Sequence, residues 1–195
     1  LGDRHRMAIE LTVRAKTDLV AGNLGRKTLR RLGRASAMVD PGRQPEFLGE
    51  GIQLSMVKYL ADLGLVEEAE SAWKGIGEFP VRALECKREA VMGYIHLVAR
   101  RWELATMWLS SAVTGMVEVS AIETAYLQLL LACAHLGANE FAEANRNSIE
   151  AARFFSIAQV KSVALAAKRV RAEAARGAVT VASILGLVRA IETAP

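Results

Sequence analysis

The chain has 195 residues, 52% of them hydrophobic, with 25 Lys and Arg against 21 Asp and Glu. That suffices for the core of one domain or a short repeat array, and no run reaches the roughly 18 apolar residues a membrane span needs. Two cysteines, Cys86 and Cys133, form neither a disulfide framework nor a metal site, so a reducing cytoplasm is the expected compartment and no cofactor is expected.

Ala and Leu fill the long segments, Pro is scarce and Gly gathers at turns, which predicts helices throughout. No alternating segment bounded by hairpin turns competes with that reading. The first pair of helices covers residues 5–21 and 25–38, turns at Gly22-Asn23 and stops at Asp40-Pro41-Gly42. Residues 40–46, rich in Gly, Pro and polar side chains, read as a flexible joint. The second pair covers 47–63 and 66–77. Ile52, Met56, Val57, Leu60 and Leu63 make one face of its first helix. The third pair covers 82–99 and 102–115, the fourth 120–136 and 140–154, and the fifth 158–175 and 179–193. Charge is uneven along this path. Residues 1–49 hold ten Lys and Arg against five Asp and Glu, residues 50–150 hold eight against fourteen, and residues 151–195 hold seven against two. Basic ends around an acidic middle can steer charged partners.

A unit of about 36 residues recurs along these pairs. One copy runs from Gly64 to Ala69, with Trp73 following and Pro80 closing it. Another pivots on Trp102 and Ala105, with Gly93 before and Ala112 after. A third runs from Gly137 through Phe141 to Ala144, and Gly177 precedes Ala182 by five residues. Such a period predicts stacked helical hairpins, an α-solenoid, and a surface for binding rather than an enzyme.

The pattern resembles the tetratricopeptide repeat, a helix pair with small residues where its helices cross. Ala69, Ala105, Ala144 and Ala182 match the small position of the second helix, and Gly93 matches that of the first. Trp73 matches the bulky position after the Ala, and Trp102 and Phe141 the aromatic that opens the second helix. The resemblance implies an all-α, right-handed superhelix of about five hairpins over residues 1–195. Its repeats would span about 5–41, 47–81, 82–117, 120–156 and 158–195. The chain begins with Leu and carries no signal-peptide pattern, so it reads as a piece of a longer protein.

In this family the first helices line a concave groove. The resemblance places Lys16, Lys58, Tyr94, Leu131 and Arg171 there, one to each repeat. Thr12, Leu54, Lys87, Val98, Leu127, Gln128, His135 and Lys168 are their neighbours. Basic ends around Tyr and Leu would suit an acidic peptide with an apolar anchor. The family's clamp for a terminal carboxylate is missing, because Asn145 and Asn147 fall in a second helix.

Arg26, Lys27, Arg30, Arg31 and Arg34 form a basic stripe on one helix, which can track phosphates or remain a solvated face. It carries no aromatic for base stacking. Cys133 and His135 point about 200° apart on a helix and cannot act as a pair. His96 reads as a packed residue, and Glu67, Glu68 and Glu70 as a helix N-terminal turn. The apolar helix at 179–193 either folds into the preceding pair, continues into the parent protein or docks a second copy. The expected function is protein–protein recognition, as the sensor or scaffold segment of a bacterial-type signalling or transcriptional regulator. A secretion or pilus-assembly chaperone, or nucleic-acid binding through the basic ends, are the alternatives.

Overall fold

The computed structural model describes residues 2–20, 25–39, 48–158 and 160–192. Among these it is all helix, without a strand. The elements are α1 (Gly2–Val20), α2 (Arg26–Met38), α3 (Leu48–Asp62), α4 (Val66–Lys74), α5 (Arg82–Val98), α6 (Trp102–Met116), α7 (Ala121–Gly137), α8 (Phe141–Ile157), α9 (Lys161–Arg176) and α10 (Val181–Glu192). Each coincides with an expected helix to within a turn. The expected turn at Gly22-Asn23 and the joint at 40–46 lie outside the described residues. The chain divides into two compact units, Leu1–Gly77 and Glu78–Pro195.

In the first unit α1 packs on α2, α2 on α3 and α3 on α4. Small side chains let these helices approach. Ala8 and Ala15, two turns apart on α1, are fully buried and meet Ala35 and Leu32 of α2 with Ile52 and Tyr59 of α3. Met56 packs against both clusters. Tyr59 needs a partner for its buried hydroxyl. Gly25, the residue that caps α2, supplies both: its N–H donates to Tyr59 Oη at 2.7 Å, and Tyr59 Oη donates to its carbonyl at 2.9 Å.

One backbone turn joins α3 to α4, α5 to α6 and α7 to α8. Gly64, Arg100 and Asn139 adopt left-handed φ values of 77°, 61° and 63°. In each turn the next residue's N–H reaches back to close the helix end: Leu65 to the Leu60 carbonyl at 3.0 Å, Arg101 to His96 at 2.9 Å and Glu140 to His135 at 2.8 Å. These bonds satisfy carbonyls that a helix end would otherwise leave open. Five residues beyond each turn stands an Ala, at 69, 105 and 144, with no exposed surface.

This register corrects two expectations. The left-handed residue of the α7–α8 turn is Asn139, not Gly137. Gly137 serves a close approach instead, because a Cβ there would fall on the Trp102 indole of α6. Ala182 does not repeat the buried Ala: it is exposed, because α10 takes a different course from α4, α6 and α8.

In the second unit α5 pairs with α6 and α7 with α8, while α6 also packs on α7 and α8 on α9. Gly93 lets the α5 and α6 backbones draw together, since a Cβ there would lie 2.7 Å from Leu109 Cγ. Ala105, Leu109 and Ala112 complete that seam, each without exposed surface. α7 is the hub, touched by α5, α6, α8, α9 and α10. Its sequence fits that position, with buried residues on every side from Ala125 to Leu136. Replacing Gly137 by Ala is expected to drive a methyl into the Trp102 ring and cost about 1–3 kcal/mol of stability. Urea unfolding followed by tryptophan fluorescence checks it. An unchanged midpoint would mean that Trp102 does not sit over Gly137.

Candidate functional site

The residues expected to line a groove divide between the two units. Thr12, Lys16, Leu54 and Lys58 belong to the first and the other nine to the second. The Lys16 side chain lies outside the described residues. Lys58 is half-buried on α3, its ammonium 3.8 Å from Asp62 Oδ2 one turn further on. Nearby on the same unit, Thr12 Oγ1 donates to the Ala8 carbonyl at 2.9 Å, and Leu54 is buried.

In the second unit the structure sorts the expected residues into three groups. Lys87 of α5 is exposed and its ammonium lies 2.7 Å from Glu123 Oε1, an ion pair that links the first helices of two successive hairpins. Gln128 is held by α8, its amide donating to Glu150 Oε2 at 2.7 Å. Lys168 and Arg171 stand exposed on α9, where Val163, Ala166, Ala167, Val170 and Ala174 take the inner face. Tyr94 and Leu131 are a correction. Both are buried, at 4% and 5% exposure, so neither offers an anchor at the surface. Leu127, one turn before Leu131, is buried with it.

The register explains why Leu131 was misplaced. Lys58, Tyr94 and Arg171 each precede a left-handed turn residue by six positions: Gly64, Arg100 and Gly177. Counted back from Asn139, the equivalent residue on α7 is Cys133, not Leu131. Asn is among the few side chains that tolerate a left-handed backbone, so Asn139 was the available signal. Cys133 has no exposed surface, and burial pushes its thiol up from 9.0 to about 12. Cys86 is buried too. Its thiol is also raised by burial, with Arg82 pulling partly the other way.

The basic stripe is exposed at three of its four described residues. Lys27, Arg30 and Arg34 face solvent and Arg31 is half-buried, while α2 turns Thr28, Leu32 and Ala35 inward. The Arg26 side chain lies outside the described residues. His135 is half-buried with Nδ1 2.6 Å from Glu140 Oε2, a contact across the α7–α8 turn. His96 is buried on α5. Among the described residues no group of three or more His, Cys, Asp or Glu could hold a metal ion. Among the same residues no helix is long and apolar enough to cross a membrane.

Of the three courses open to the last helix, it takes the first and folds back. α10 packs on α7 and α9, with Ile184, Leu187, Val188 and Ile191 at 2%, 7%, 2% and 1% exposure. Exposed aliphatic side chains lie elsewhere in this unit, including Leu104 and Met107 on α6 and Ile149 on α8. Comparison of the chain with protein families, characterised proteins and solved structures finds no match.

The raised Cys133 thiol has a pH signature. The unfolded thiol ionises near 9.0 while the folded one keeps its proton to about 12. The unfolded state therefore binds fewer protons in that window, and stability falls as pH rises through it. Cys133→Ala is expected to remove about 1.4 kcal/mol of loss per pH unit between these limits. Urea midpoints at pH 8 and pH 10 for both proteins check this. Equal slopes would place Cys133 in contact with water.

Proposed function

We propose that the chain is a tetratricopeptide-like module, a right-handed superhelical array of helical hairpins, that binds another protein. One observation carries the reading. The left-handed turns at Gly64, Arg100 and Asn139 recur with a fully buried Ala five residues on, so three hairpins share one construction. A unit of that kind cannot bury its apolar faces alone, and stacking leaves broad, preformed surfaces on which a partner can lie. Binding on such a surface orders little of the receptor, so apolar contacts convert efficiently into affinity.

The partner surface differs from the expected groove. Tyr94 and Leu131 are withdrawn into the core, which leaves Lys87, Lys168 and Arg171 as its polar contributors in the second unit. These side chains would set orientation and on-rate for an acidic partner, and exposed aliphatic residues would supply the contact energy. A sensor or scaffold segment of a cytoplasmic signalling or transcriptional regulator fits such a module, coupling a bound partner to an effector domain.

Nucleic-acid binding is the second reading, favoured by the exposed Lys27, Arg30 and Arg34 on α2. The two readings separate in one experiment. Purified protein is used to capture partners from a source lysate, with and without nuclease, beside a Lys27→Glu/Arg30→Glu/Arg34→Glu variant. Protein recognition is expected to survive nuclease and about 0.3 M salt, and to be the same for the variant. Capture that disappears with nuclease, salt or the triple substitution would assign the function to phosphate contacts on α2.

A further inference from the structure

The outer face of α6 differs from those of the other second helices. α4 turns Glu67, Glu68 and Lys74 to solvent, and α8 turns Arg146, Glu150 and Arg153. From Leu104 to Val117 the chain carries no charged side chain, although Leu104, Met107, Ser110, Ser111 and Thr114 all face water. Leu104 and Met107 are 43% and 55% exposed, with the half-buried Trp108 beside them. Ala105, Leu109, Ala112 and Met116 take the opposite, buried side. The uncharged strip runs on past the helix through the exposed Val117, Val119 and Ile122. Depletion of charge around Met and Trp is the composition of the centre of an interface, not of a face left in water.

Charge returns at the two ends of α6 with opposite sign. Arg100, Arg101 and Glu103 leave the first end net positive, and Glu118 makes the second negative. Arg100 and Glu118 are exposed, and neither has an ion-pair partner among the described residues. Size is graded along the same line. Leu104 and Met107 precede Leu109, while Ser111 and Thr114 follow it. A helix of this polarity is complementary to itself when reversed. On a second α6 laid antiparallel, with the two-fold axis level with Leu109, Leu104 falls beside Thr114, Met107 beside Ser111 and Arg100 beside Glu118, each pairing occurring twice. The small residues let two such helices draw close. The charged ends fix their direction, since a parallel pairing would set Arg100 against Arg100.

We infer that the outer face of α6 is the contact between two copies of this chain, packed antiparallel about a two-fold axis. A second copy is the occupant because the face carries its own complement, large side chains against small ones and Arg100 against Glu118. Val117, Val119 and Ile122 extend the covered area at both ends. A single helix face still covers less than the roughly 800 Å² per partner of a standard interface, so the dimer is weak and exchanges with monomer. The inference does not rest on the recognition reading, which draws on Lys87, Lys168 and Arg171 of α5 and α9.

The test is the oligomeric state of the full chain. Sedimentation equilibrium between about 5 and about 500 µM is expected to show a reversible monomer–dimer transition. Met107→Asp and, separately, Ser111→Arg change exposed side chains, so circular dichroism should find both folded, and each is expected to weaken the dimer at least about tenfold. Arg100→Glu and Glu118→Lys should each weaken it several-fold. An equimolar mixture of these two variants should regain most of the parent's affinity, because a mixed pair restores both charge contacts. A parent protein that stays monomeric across the range overturns the proposal, as does a dimer that Met107→Asp or Ser111→Arg leaves unchanged. A mixture no tighter than either charge variant alone overturns the antiparallel register. A monomeric parent whose lysate partner is lost with Met107→Asp gives the face to another protein and overturns the assignment to a second copy. Capture from lysate is read separately from sedimentation, so failure of the dimer and failure of the recognition reading are told apart.

Discussion

The hairpins depend on how closely two helices can approach where the chain reverses. A left-handed residue ends the first helix and sends the second back along it, and the small residues on either side of the reversal set the separation. Gly93 and Ala105 do this for α5 and α6, and Ala132 and Ala144 do it for α7 and α8, with no exposed surface at the three Ala residues. Larger side chains there would push the helices apart and open the seam to water. Of the three turns, only Gly64 adopts the left-handed conformation without a steric cost. Arg100 and Asn139 adopt it between two packed helices, Asn at the lower cost of the two.

That construction decides what remains at the surface. α7 is pressed by five neighbours, and Leu131, one of the side chains expected to anchor a peptide, is absorbed into its packing. Two of the polar residues that survive are engaged across helices, Lys87 with Glu123 and Gln128 with Glu150. Exposed pairs of this kind contribute little stability. Their consequence is positional, since they tie first helix to first helix and first helix to second. Where the plan lapses, at α10, a helix held by four aliphatic side chains covers a face that the preceding hairpins shape.

Helices were legible in the sequence because their signals are local. Apolar spacing, a scarcity of Pro, and Gly64 and Gly177 at reversals place every element to within a turn. Ala69, Ala105 and Ala144 were legible as positions where helices approach closely, and each is without exposed surface. Register on α7 was not, because Gly137 offers two physical explanations. A glycine can supply a left-handed turn or make room for a neighbour, and only the Trp102 ring above it decides for the second. The burial of Tyr94 and Leu131 was illegible for a related reason. Both are amphipathic or apolar side chains at helical spacing, and which side of a helix faces a third element depends on contacts far away in sequence. The course of α10 belongs to the same class: its apolar face demanded cover, but α7 as the cover follows from tertiary packing.

The measurement that bears most directly on this account is a double-mutant cycle at Gly93 and Leu109, read by urea unfolding. If α5 and α6 meet at this register, Gly93→Ala should cost about 1–3 kcal/mol in the parent protein and much less in a Leu109→Ala background, where the crowding side chain is gone. Costs that simply add would mean that the two residues do not touch. The close α5–α6 seam at Gly93 would then have to be abandoned.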